Sequence, residues 1–164
     1  MERLWSPWRM AFVSGEAGGA GESGCLFCDH LADDDDERAG ILSRGPLAFA
    51  LLNAFPYNTG HLMVAPLRHA GDLDGLSVEE RGELMELTNR SVAIVREVMK
   101  ADGFNIGVNL GRVAGAGVPG HVHVHVVPRW GGDTNFMPVV GDTKVLPEML
   151  AQTYAKLRPA FDAL

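Results

Sequence analysis

The chain is 164 residues long and 46% hydrophobic, enough apolar material for the core of one domain. Its formal net charge of −7 argues against a broad basic surface for nucleic acid, because neutralising a phosphate backbone takes clustered Lys and Arg; any phosphate site has to be local. No run approaches about 18 apolar residues, and Met1 to Phe12 interleaves Glu2, Arg3 and Arg9 with its apolar residues, so the expectation is a soluble, cytoplasmic chain with no membrane partner.

Residues 14–24 (SGEAGGAGESG) are too rich in glycine and polar residues to nucleate structure. Cys25 and Cys28 follow as the two cysteines of the chain, in one Cys-x-x-Cys, a spacing that suits half of a metal site or a redox pair in a reducing compartment. The acidic run Asp33 to Glu37 reads as a mobile, solvated surface loop. Residues 46–53 (PLAFALLN) and 60–66 (GHLMVAP) are apolar runs about a Pro/Asn/Gly turn region, the pattern of a β-hairpin with a long loop. Ser77 and Glu80 make a capping box ahead of Leu84, Leu87, Val95 and Val98 at helical spacing, which predicts one amphipathic helix to about Lys100. Residues 104–110 (FNIGVNL) and 120–128 (GHVHVHVVP) read as two more strands joined by the loop GRVAGAGVP, and Pro147 opens a C-terminal helix through about Leu157. This order predicts an α+β domain, an antiparallel sheet with helices packed on one face. One domain is expected over residues 1–164, with an N-terminal arm (1–24) and a C-terminal extension (131–164).

The densest chemistry is in HVHVHVV. Successive side chains of a strand point to opposite faces, so His121, His123 and His125 share one face and Val122, Val124 and Val126 the other. Buried singly, each imidazole would require its own hydrogen-bonding partner. A strand rises about 3.3 Å per residue, which separates the backbones of His121 and His125 by about 13 Å, too far for all three to converge on one metal. Two of them with ligands from elsewhere could still do so. Imidazole is also a good nucleophile at neutral pH, and attack on phosphorus would split one displacement into two. Gly115, Ala116, Gly117 and Gly120, just before the strand, let backbone N–H groups approach phosphate oxygens.

With its pattern His-φ-His-φ-His-φ-φ, φ being apolar, the chain resembles the histidine triad superfamily. PLAFALLNAFPYNTGHLMVAPLRH is similar to the nucleotide-binding hairpin of the fragile histidine triad hydrolases, and the resemblance covers roughly residues 25–130. It implies a five-stranded antiparallel sheet with helices, a homodimer or higher homo-oligomer, and adenosine phosphates as substrates. By that resemblance His123 is the nucleophile, His125 binds phosphate oxygens, and His121 and His61 support them. Asn53 would bond the ribose, Phe27, Phe49 and Leu51 would enclose the adenine, and Asn109 would lie near the scissile phosphate. The apolar three read equally well as ordinary core. Gly117 and Val118 stand where many hydrolases of the family carry Gln, Ser or Thr to assist the leaving group.

The flanks RLWSPWRM and PRWGGDTNFMPVVGDTKVLPE are similar to a prokaryotic branch that includes mycobacterial-type diadenosine tetraphosphate phosphorylases. Trp5, Trp8 and Trp130 are candidates for stacking bases or closing a dimer, against a plain role as packing anchors. Arg9 and Arg129 are candidates for distal phosphates, against surface ion pairs. Related proteins also complete a zinc site from the Cys-x-x-Cys, a later His and the first His of the triad, which implies Cys25, Cys28, His69 and His121 here, with His30 as a local competitor. The reading is an enzyme that cleaves diadenosine polyphosphates through a nucleotidyl-histidine, with inorganic phosphate as the acceptor. It requires no cofactor for chemistry and leaves room for a structural zinc. A hydrolase of dinucleosides or phosphoramidates, a metal-dependent enzyme and a non-catalytic nucleotide binder are the alternatives.

Overall fold

A computed structural model of the chain describes residues 24–133 and 148–164. Within them the elements are α1 (Leu26–Ala32), α2 (Asp36–Ala39), β1 (Ile41–Arg44), β2 (Ala48–Leu52), β3 (Leu62–Pro66), α3 (Val78–Met99), β4 (Gly103–Val108), a 3-10 turn (Arg112–Ala114), β5 (Val124–Arg129) and α4 (Leu150–Phe161). The strands form one five-stranded antiparallel sheet in the order β1-β2-β3-β5-β4, with the last strand inserted beside the hairpin. No helix among the described residues is long and apolar enough to cross a membrane.

Strands β2 and β3 are buried at every position, and the twofold alternation of side chains sorts them into two clusters. Ala50, Leu52, Leu62 and Val64 join Val122, Val124 and Val126 in the larger cluster, with Leu84, Leu87 and Val95 of α3 and Leu157 and Phe161 of α4. Phe49, Leu51, Met63 and Ala65 belong to the second, with Phe27 of α1 and Cys25. The two long helices therefore cover one face, and short α1 covers part of the other. Helix α3 begins as expected: the Glu80 N–H donates to Ser77 Oγ (3.2 Å) and the Ser77 N–H to Glu80 Oε2 (2.7 Å).

Several expectations change. The acidic run is structured rather than a mobile loop, because its carboxylates are paired. Asp35 caps α2 by accepting from the Arg38 N–H (3.0 Å), Arg38 Nε donates to Asp33 (2.9 Å), and Asp36 receives Arg44 Nε (2.8 Å) and Arg158 Nη1 (3.1 Å). Strand β1, absent from the hydrophobic-run reading, pairs with β2 at the sheet edge. The triad run joins the sheet only at Val124; His121 and His123 precede the ladder, where the Val122 N–H donates to the Ala70 carbonyl (2.7 Å). The inward-outward alternation persists through this stretch. Helix α4 runs to Phe161, one turn past the expected end, while Pro147, Trp5, Trp8 and Arg9 lie outside the described residues.

Glu80 does more than cap α3. Arg68 Nε and Nη2 grip its two oxygens at 2.8 and 2.7 Å, which fixes the segment after β3 that carries His69. The Arg68 hydrogen bonds first, and the Ser77 amide second, hold the Glu80 carboxyl at about 2, well below the ordinary value near 4.5. A carboxyl lowered on folding stabilises the fold above its unfolded pKa and loses that contribution as pH falls through the folded one. Glu80→Gln is therefore expected to melt a few degrees below wild type at neutral pH, with the gap closing steadily below about pH 4.5; paired thermal melts from pH 7 downward check this.

Candidate active site and candidate metal centre

The four histidines at the centre of the sheet are held by partners that dictate their tautomers. An unsatisfied buried donor costs about 1–3 kcal/mol, so each ring is oriented by the hydrogen bonds it can make. His123 Nδ1 lies 2.9 Å from the carbonyl oxygen of His121. A carbonyl only accepts, so Nδ1 carries the proton and Nε2 keeps its lone pair. Burial lowers the His123 pKa below 6.5, partly offset by that hydrogen bond, and the ring is neutral at pH 7.

A second relay fixes His125. The Tyr57 N–H donates to His61 Nδ1 (3.0 Å), which leaves the His61 proton on Nε2. That N–H faces His125 Nδ1 at 3.0 Å and donates to it, so His125 presents Nε2–H. The site thus sets a lone pair on His123 beside a donor on His125, their rings 4.8 Å apart. The Tyr57 ring lies tilted against His61 at 4.7 Å and stacks with His125 at 5.9 Å. Its loop is drawn in by Gly60, whose φ of +77° is a glycine conformation and whose Cβ, if present, would stand 2.7 Å from Met99 Sδ. The composition of FPYNTG marked this stretch only as a turn; nothing local signalled that Tyr57 sets a tautomer.

A cavity of about 660 Å³ opens onto the rings of Tyr57, His123 and His125. Of the residues proposed from sequence, Phe27, Leu51, Asn53, Gly115, Gly117, Val118, His123 and His125 border it. Phe27 is the wall beside His123, 4.8 Å between ring centroids. Asn53 is positioned by accepting from the Phe55 N–H (2.9 Å) and approaches His61 with its amide nitrogen.

Other candidates stand elsewhere. Phe49 does not border the cavity: it is fully buried and packs edge-on behind Phe27 at 6.2 Å. Asn109, just past β4, and Ala116 do not border the cavity. In the glycine loop the amides of Gly115 and Ala116 turn back to the carbonyls of Arg112 (2.9 Å) and Gly111 (3.3 Å). Gly117 and Val118 border the cavity, and among the described residues their amides donate to no backbone carbonyl; the Gly120 amide likewise donates to none but does not border the cavity. Arg129 pairs with Asp133 and donates to Asn105 Oδ1 (2.8 Å), the ion-pair arrangement that was the alternative to a phosphate role, and it does not border the cavity. Trp130 is a packing anchor, its Nε1–H donating to the Lys100 carbonyl (3.0 Å) at the end of α3. The cavity also takes in Leu26, His30, Tyr57 and Met63, and Leu150, Ala151 and Tyr154 from α4, which sequence spacing did not associate with it.

His121 belongs to a different cluster. Its Nε2–H donates to the Pro66 carbonyl (2.8 Å), which turns the Nδ1 lone pair toward Cys25 Sγ (3.4 Å) and Cys28 Sγ (3.8 Å). His69 Nδ1 stands 3.4 Å from Cys28 Sγ, and the four ligand atoms all lie within 4.8 Å of one another. Metal bonds of about 2.0–2.3 Å to nitrogen and sulfur give tetrahedral edges of roughly 3.3–3.8 Å, so this donor set fits a tetrahedral ion. Burial first, and the neighbouring Cys25 second, push the Cys28 thiol up to about 11, leaving it protonated until a cation draws off the proton. His30 is not part of this group.

The HIT domain family matches residues 36–132. An AP-4-A phosphorylase of Mycobacterium tuberculosis is 40% identical over 158 residues, covering 93% of this chain and 80% of the relative. A bis(5'-nucleosyl)-tetraphosphatase (asymmetrical) of Schizosaccharomyces pombe is 35% identical over 89 residues, 54% of this chain and 48% of the relative. Among solved structures, a zinc-bound histidine triad family protein from Mycobacterium smegmatis superposes with a TM-score of 0.69 at 26% identity, covering 87% of this chain and 96% of its own. The chain belongs to the HIT domain family.

These contacts have a direct spectroscopic consequence. Imidazole ¹⁵N spectra at pH 7 are expected to show His123 as the neutral Nδ1–H tautomer and His61 and His121 as Nε2–H, with His123 titrating below 6.5. An Nε2–H tautomer at His123 would contradict the assignment.

Proposed function

We propose that this HIT-family enzyme cleaves diadenosine tetraphosphate and related dinucleoside polyphosphates at the phosphorus next to an adenosine, with His123 Nε2 as nucleophile. The observation that carries the reading is the fixed lone pair of His123 in the cavity wall, beside the Nε2–H of His125. Attack forms an N–P bond at the α-phosphorus, breaks the P–O bond to the remaining chain and releases ATP, leaving adenylyl-His123. His125 and the Gly117 and Val118 amides supply donors where negative charge grows on the phosphoryl oxygens. Asn53 takes the ribose, and Phe27 and Leu51 line the side where the base lies. The leaving group is a stable polyphosphate anion and needs little general-acid help, in keeping with Gly117 and Val118 replacing side-chain donors.

Inorganic phosphate then takes the adenylyl group and gives ADP. The name and 40% identity of the M. tuberculosis relative support phosphorolysis, and the S. pombe relative supports water as the competing acceptor. The three triad imidazoles have three different partners, a thiol pair, a backbone carbonyl and another histidine, which favours nucleophilic over metal-centred use of the triad. Zinc held by Cys25, Cys28, His69 and His121 would supply a structural cross-link between the start of α1, the segment after β3 and the triad. Homodimerisation and a cytoplasmic location belong to the same proposal.

Product chromatography distinguishes the acceptors. Diadenosine tetraphosphate with phosphate is expected to yield ADP and ATP; AMP and ATP at the same rate with or without phosphate would make the protein a hydrolase. His123→Ala should reduce turnover by about a millionfold while nucleotide still binds, since removing a covalent nucleophile removes the step itself. Elemental analysis of protein purified without added metal is expected to find one zinc per chain, lost in Cys25→Ser; zinc-free protein with both thiols freely titratable would refute the metal assignment.

A further inference from the structure

The loop between β2 and β3 carries the first donor of the relay that fixes His125, and a buried amide holds that loop in place. Asn58 follows Tyr57 in the chain and is buried, yet it does not border the cavity. Its Nδ2, with two hydrogens, donates to the Pro128 carbonyl (3.0 Å) and to Asp133 Oδ2 (2.8 Å), while its Oδ1 accepts from the Thr59 N–H (3.2 Å). The Asn58 carbonyl accepts from the His61 N–H at 3.1 Å and so closes the turn that lays the Tyr57 N–H on His61 Nδ1. Pro128 stands on β5, three residues after His125, so this clamp joins the same two segments that the relay spans. Asn53 Nδ2 also approaches the His61 ring, but at 3.4 Å from Nδ1 and 3.5 Å from Nε2 it favours neither nitrogen; the Tyr57 N–H, at 3.0 Å, favours one. Asp133 takes Arg129 as well, in a part-exposed ion pair that water screens.

We propose that Asn58 and Asp133 are positioning residues for the reaction: the Asn58 amide, tied to Asp133 and to the Pro128 carbonyl, holds the Tyr57 N–H on His61 Nδ1 and through His61 presents the Nε2–H of His125 to the phosphoryl oxygens. The inference rests on the cleavage reading above. Neither residue borders the cavity, so both act through the loop. When the loop shifts, His61 can carry its proton on Nδ1 and turn a lone pair toward His125, which converts the His125 Nε2 from donor to acceptor. A misplacement of about 1 Å outside the reacting centre can cost about a hundredfold in rate, and a partial loss of this alignment is expected to cost about tenfold.

The test compares Asn58→Leu, Asp133→Leu and Asp133→Asn with wild type, and Arg129→Met controls for loss of the ion pair alone. Imidazole ¹⁵N spectra at pH 7 and steady-state cleavage of diadenosine tetraphosphate are read on each variant that melts cooperatively; Asp133→Leu, past the end of β5, carries the test if Asn58→Leu does not fold. The leucine variants are expected to show an Nδ1–H population at His61 and a kcat about tenfold below wild type, with KM within about twofold. Asp133→Asn, whose amide oxygen still accepts from Asn58, is expected to keep the wild-type tautomers and most of the rate, a rescue that general loosening of the fold would not show. Leucine variants in which His61 stays wholly Nε2–H, an unchanged kcat in them, or an equal loss in Arg129→Met each overturns the proposal. The spectra do not depend on turnover. Wild type that shows these tautomers and cleaves nothing removes the reaction, whereas a cleaving wild type whose leucine variants keep both tautomer and rate removes only the role of Asn58 and Asp133.

Discussion

The hydrogen bond from His123 Nδ1–H to the His121 carbonyl, buried and 2.9 Å long, is the contact on which the site depends. Because a carbonyl cannot donate, the bond leaves only one tautomer, with Nε2 unprotonated and available. The ring of His121 is separately committed, its Nε2–H to Pro66 and its Nδ1 toward two thiols. One residue therefore holds the proposed nucleophile with its main chain and closes the candidate metal cluster with its side chain.

Main-chain groups set every tautomer in the site. Pro66 O fixes His121, His121 O fixes His123, and Tyr57 N fixes His61, which in turn fixes His125. Backbone amides and carbonyls do not titrate between pH 5 and 9, so they keep an imidazole in one tautomer over the working range. Their positions come from β3, from the loop shaped by Gly60, and from the extended run before β5. A central sheet buried on both faces gives those segments little room to shift, which is how a hydrophobic core becomes catalytic precision.

The two faces divide the work. Valines and leucines on one side pack against α3 and α4, while the other side carries the histidines, Phe27 and the cavity. Arg68 and Glu80 tie the helical side to the segment bearing His69, so the start of α3 and the candidate metal cluster are mechanically joined. A second structural use of charge is at the acidic run, where Asp33, Asp35 and Asp36 order α2 by pairing with the backbone and with arginines from α2 itself, β1 and α4.

The residues themselves determined the sheet class, the helix from Val78 to Met99 with its Ser77–Glu80 cap, and the one-faced placement of the three histidines. All of these follow from spacings of two to four residues, which act locally whatever the rest of the chain does. The Cys25, Cys28, His69 and His121 grouping was available from sequence only through resemblance; Cys25 and His121 are 96 positions apart, and their approach is a result of packing. Tertiary structure alone decided that Phe49 supports Phe27 from behind, that Arg129 and Trp130 are taken up by Asp133 and the end of α3, and that α4 contributes to the cavity. It alone turned His30 toward that cavity as well, because whether an apolar or ionisable side chain ends in a core, an ion pair or a binding site depends on which distant element folds over it.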